Sequence, residues 1–181
     1  AAEQQWRQKM RRARQFFVSG QPGSFTGAAG VQIVTRMWVA AEKEDKEENA
    51  ILILTGWNEN ILKYKEHIYD LHRNGFGKIF IMDHQAQGLS GRLVDKCPDT
   101  QLSYVDSFDH YVCDALHFAR EIVQPNLRES QRIGVLAHSM GGLIAMHAAL
   151  REQQEQVPLD ERVFCRLALC APFIGLKAAV P

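Results

Sequence analysis

Apolar positions along this chain come first as a stripe and then as short unbroken runs. Trp6, Met10, Ala13 and Phe17 recur at helical spacing, which predicts a helix over residues 3–17. Residues 20–30, rich in Gly, Pro and Ser, are expected to be loop. Val31–Ala40 has the Val, Ile, Thr and Trp content of a strand. The charge run at 42–49 reads as a solvated turn. Ala50–Leu54, Lys78–Met82, Arg132–Ala137 and Val163–Ala171 are short apolar runs of the kind that form strands buried on both faces. Helical patterns lie between them, over 60–74, after Ser107 and over Gly142–Arg151. Ser107 suits a helix N-cap, and Phe108, Tyr111, Val112, Ala115, Leu116, Ala119 and Ile122 form the stripe behind it. Residues 84–104, with Gly88, Gly91 and Pro98, are expected to be loop.

Strands alternating with helices predict an α/β fold, a mostly parallel sheet with helices on both faces. The expected division is an N-terminal helix and loop at 1–30 and the α/β unit at 31–181. In such sheets ligands bind beyond the carboxyl ends of the strands. Loops leave those ends after Leu54, Met82 and Ala137, so the chemistry is expected there.

Composition removes several classes of function. Twenty-one basic and twenty-one acidic residues balance, which gives no argument for nucleic-acid binding. No apolar run reaches the about eighteen residues a membrane span needs, and the polar, basic N-terminus does not resemble a secretory signal. Cys97, Cys113, Cys165 and Cys170 form no CxxC pair and lie at no metal-ligand spacing from a histidine. Cys165 and Cys170, an odd number apart in one run, are expected on opposite sheet faces. All four read as reduced packing residues in a reducing compartment, and no metal or cofactor is called for. Arg7, Lys9, Arg11, Arg12 and Arg14 put five cations on the first helix. That helix can pack on the domain, or it can touch an anionic membrane surface.

The segment Ala137-His138-Ser139-Met140-Gly141-Gly142 sits between an apolar strand and a helix, the setting of a nucleophile elbow. So tight a turn accepts only small residues beside the serine, and Ala137 and Gly141 meet that need. The helix N-terminus behind Ser139 offers free N–H groups to an oxyanion. The loop Thr55-Gly56-Trp57-Asn58-Glu59 leaves the neighbouring strand. Its Trp57 N–H and the Met140 N–H are the expected oxyanion donors.

These segments resemble a known family. Asp83-His84-Gln85-Ala86-Gln87-Gly88-Leu89-Ser90-Gly91-Arg92, the pair Tyr64 and Glu66, the elbow, and Leu169-Cys170-Ala171-Pro172-Phe173 are similar to the bacterial lysophospholipases and their monoacylglycerol lipase relatives. The resemblance covers residues 31–176. It implies an α/β-hydrolase in which Ser139 cleaves a fatty-acyl ester of a lysophospholipid through an acyl-enzyme. With the reduced cysteines and the basic first helix, the expected location is the cytoplasm, with peripheral contact at the inner membrane. A monoacylglycerol lipase or general carboxylesterase is the alternative, and a non-catalytic binding protein on the same fold the second. Three positions depart from the family. Thr55 stands before Gly56 where the family often has His, and Gln85-Ala86 replaces Arg-Gly, which removes a partner for a carboxylate.

In this fold the triad runs Ser, acid, His. After Ser139 the chain offers His147, about 12 Å along its helix and out of reach. Asp160 and Glu161 precede the last strand, at the wrong end of the sheet. His138 is expected to turn elsewhere, and His84 to hold a loop. The resemblance places a lid from near Pro172 and, after two later strands, the acid and the base, so the sequence is expected to be a partial chain with its acid and base beyond residue 181.

Overall fold

The computed structural model describes residues 2–40, 49–94, 102–164 and 166–175. Six strands form one sheet in the order β1-β2-β4-β3-β5-β6: β1 Gln21–Thr26, β2 Gln32–Val39, β3 Asn49–Leu54, β4 Lys78–Met82, β5 Arg132–His138 and β6 Leu167–Cys170. β1, β2 and β4 pair antiparallel. β4, β3, β5 and β6 pair parallel, so the chemistry-bearing half of the sheet has all its carboxyl ends on one side.

Alternation sets the two faces. Ala50, Leu52 and Leu54 of β3, with Phe80 and Met82 of β4, meet α3 (Phe108–His117) and α4 (Met140–Gln154). Ile53, Ile79 and Ile81 point the other way, onto α1 (Ala2–Ser19) and α2 (Lys65–Arg73). Helices cover both faces, as the alternation of elements predicts. Residues 60–74 divide into a 3-10 turn, Ile61–Tyr64, and then α2. The Ser107 hydroxyl accepts the Asp109 N–H and caps α3, which runs on through a π-helical stretch, Phe118–Val123.

Several expectations are corrected. Residues 21–26 form β1 rather than loop, pairing with β2 from Gln21 opposite Met37 to Thr26 opposite Gln32. This is an edge strand, half in water, so it needs no apolar run. The last strand begins at Leu167, not Val163. The buried Glu152 carboxylate accepts the N–H groups of Val163 and Phe164, which draws them away from the ladder. On α1, Ala13 and Phe17 are buried, but Trp6 is 58% exposed. The helix is anchored instead by the Trp38 indole on the Phe16 carbonyl and by Lys9 on Asp70. Cys170 is exposed and Cys113 half-buried. The expected turn at 42–49 lies, apart from Asn49 in β3, outside the described residues, as do Cys97 and Cys165. Among the described residues no helix is long and apolar enough to cross a membrane.

Candidate active site

β5 ends at His138 and α4 starts at Met140, which leaves Ser139 alone between them. Its backbone has φ 50° and ψ −117°. A non-glycine residue there is strained, of order 1–3 kcal/mol, and such strain gathers at functional turns. The surroundings hold it in place. The Ser139 N–H donates to the Cys170 carbonyl, and the Ser139 carbonyl accepts from Gly142 and Phe173. A side chain at Gly141 would put its Cβ 2.3 Å from the Leu54 carbonyl oxygen, so the helix start lies directly on the end of β3. Ala137 is buried in β5.

The loop after β3 closes on this turn. Gly56 is buried, and a Cβ there would lie 3.2 Å from Ser139 Cβ and 3.0 Å from His138 Nδ1. Asn58, at φ 55°, reverses the chain, and the Glu59 N–H returns to the Gly56 carbonyl. Asn tolerates that conformation better than most residues. The Gly56 N–H donates to Glu59 Oε2 at 2.7 Å. The N–H groups of Trp57 and Met140 meet no backbone acceptor among the described residues, the second because it opens a helix. The Trp57 indole is half exposed.

Glu59 is a feature the sequence reading missed as a site residue. Its carboxylate, 7% exposed, accepts from Gly56, the Tyr64 hydroxyl (2.6 Å) and Lys63 Nζ (2.7 Å), and lies 3.0 Å from His138 Nδ1. Burial alone would raise its pKa. The bonds from Lys63, Tyr64, Gly56 and His138 outweigh burial and bring it down to about 2. Burial and the bond to Glu59 push the Tyr64 phenol well above its ordinary range. Glu59, Tyr64, His138 and Cys170 line a cleft of about 360 Å³ beside the elbow.

The loop after β4 is the third wall. Asp83 accepts the N–H groups of Ile61 and Leu89, tying this loop to the 3-10 turn. His84 is fully buried with Nε2 3.1 Å from the Thr55 carbonyl, and burial lowers its pKa to about 4. That contact ties the loop after β4 to the loop after β3. Gln85 is fully buried, and its amide meets no partner among the described residues. His147 is exposed on α4 with its ring against Phe108. Asp160 and Glu161 are exposed near the amino ends of the strands. None of the seven histidines hydrogen-bonds the Ser139 hydroxyl among the described residues. Nor do the described residues gather a metal-binding cluster.

The strand order, the strained serine between β5 and α4, and the glycine behind it define an α/β-hydrolase. The chain belongs to the serine aminopeptidase, S33 family, whose model matches residues 45–181. It is 37% identical over 134 residues to lysophospholipase L2 of Escherichia coli (strain K12), covering 74% of this chain and 35% of that protein. The chain thus spans about a third of the length of the curated relatives it matches. The fold is similar to that of a carboxyl esterase from Bacillus coagulans (TM-score 0.61, 20% identity, 83% of this chain and 44% of that one). It is also similar to a monoglyceride lipase from Saccharomyces cerevisiae (TM-score 0.59, 18% identity, 75% and 40%).

Proposed function

We propose that the complete protein is a lysophospholipase in which Ser139 attacks the fatty-acyl carbonyl and forms an acyl-enzyme. The observation that carries this reading is the Ser139 backbone, strained between β5 and α4 and locked by Gly141 against the Leu54 carbonyl. The N–H groups of Trp57 and Met140 are the proposed oxyanion donors. The Gly56 N–H is committed to Glu59, which leaves Trp57 as the next donor along the loop. The base and its orienting acid come from chain outside these 181 residues. In support, the His84 and His138 rings already bond to Thr55 and Glu59. The likeness to lysophospholipase L2 supports the lysophospholipid as substrate.

Arg11, Arg12 and Arg14 are exposed on α1 and pair with no acid among the described residues. That face is proposed to rest on an anionic membrane surface, where the lipid substrate resides. The test of function is a substrate panel on the complete protein: a lysophospholipid, a monoacylglycerol and a short-chain ester. Preference for the lysophospholipid, lost in Ser139→Ala, is expected. Preference for the monoacylglycerol would reassign the substrate, and no hydrolysis of any of the three would refute the reading.

A further inference from the structure

The acid in the loop after β3 bonds to three separate segments. Glu59 Oε2 accepts the N–H of Gly56 from the loop itself and the hydroxyl of Tyr64 from the 3-10 turn. The same atom faces Nδ1 of His138, the last residue of β5 and the neighbour of Ser139. Oε1 is held by Lys63. A buried carboxylate stays charged only with donors of this number and quality.

The cluster has no slack. A Cβ added at Gly56 would lie 3.0 Å from Glu59 Oε2, 3.0 Å from His138 Nδ1 and 3.2 Å from Ser139 Cβ. The loop is thus clamped against the residue before the serine and against the serine itself. Oxyanion donors work only when held within about 0.5 Å of their productive place. Misplacement by about 1 Å can cost on the order of 10²-fold in rate. A negative charge this close would by itself oppose an oxyanion, and the Lys63 ammonium on Oε1 offsets it.

Resting on the reading of Ser139 as nucleophile, we propose that Glu59 is a positioning residue for acyl transfer. Its carboxylate sets the Trp57 N–H relative to Ser139 by holding Gly56 and His138 together. Glutamine at 59 keeps the shape but offers one acceptor oxygen and presents N–H groups to a cluster of donors. Aspartate keeps the charge and the pairing type but falls one methylene short of Gly56.

The experiment uses the complete protein, with steady-state hydrolysis of a soluble ester by wild type, Ser139→Ala, Glu59→Gln and Glu59→Asp. Melting curves are recorded for each. Affinity for a trifluoromethyl ketone, which forms an oxyanion on the nucleophile, is measured in parallel. Both Glu59 variants are expected to stay folded, with kcat down about 10- to 100-fold and KM within about twofold. Ketone affinity should fall in step with kcat. Unchanged kcat in a folded Glu59 variant overturns the proposal, and so does a change confined to KM. Loss of folding in both variants overturns it too, because the carboxylate would then hold the fold rather than the loop. If wild type shows no Ser139-dependent turnover, the nucleophile reading itself fails, and the clamp falls with it.

Discussion

His138 Nδ1 lies 3.0 Å from Glu59 Oε2, across 79 positions of chain. One end of that contact is the residue before the strained serine, and the other is the acid that holds the Gly56 N–H. The contact joins the loop after β3 to the end of β5, where the strained serine turn begins.

Its electrostatics give a pH signature. The folded pKa of Glu59, about 2, is below its ordinary 4.5, so its contribution is fully present above pH 4.5. The contribution is lost as pH falls from 4.5 toward 2. The melting temperature of wild type should exceed that of Glu59→Gln by a constant margin above pH 5, and the margin should close between those values. A margin that widens on acidification would contradict the network.

Gly141 tests the elbow sterically. A Cβ there meets the Leu54 carbonyl carbon at 2.6 Å and the Thr55 oxygen at 2.7 Å, both backbone atoms that cannot step aside. Gly141→Ala should destabilise the protein by roughly 1–3 kcal/mol and abolish Ser139-dependent turnover. Gly175→Ala, which meets nothing within 4 Å, is the control. Equal melting temperatures for the two variants would mean the turn is looser than described.

Ala86 stands where the resembling family has glycine, and its φ is 61°. An L-residue in that region is strained by about 1–2 kcal/mol, and glycine is not, though glycine loses more entropy on folding. Ala86→Gly should therefore stabilise by about 0.5–1 kcal/mol, seen as a rise of a few degrees in thermal unfolding. A fall would show that the buried methyl matters more than the backbone.

Neutralising Arg11, Arg12 and Arg14 together by glutamine should weaken binding to anionic vesicles by about tenfold or more. Vesicles of phosphatidylcholine alone should be unaffected, and salt should mimic the substitution. Co-sedimentation indifferent to lipid charge and salt would show that α1 has no membrane-binding face.

Strands buried on both faces were legible in the sequence because burial makes them unbroken apolar runs. β4 is buried at every residue, and its apolar run has the observed bounds. The elbow was legible because its small residues fall between such a run and a helix. β1 was not, since Gln-Pro-Gly-Ser-Phe-Thr at an exposed edge has the composition of a loop. Val163 and Phe164 have the hydrophobicity of a strand, and only the distant Glu152 carboxylate reveals that their N–H groups are engaged elsewhere. Glu59 is not legible for a similar reason. One acid in a loop carries no signal until Tyr64 and His138 are seen to converge on it.

Covalent capture decides whether Ser139 is the nucleophile. The complete protein is treated with a fluorophosphonate, digested, and the modified peptide sequenced by mass spectrometry. One adduct is expected, on Ser139, absent in Ser139→Ala and after heat unfolding. An adduct on another serine, still formed at full rate in Ser139→Ala, would contradict it.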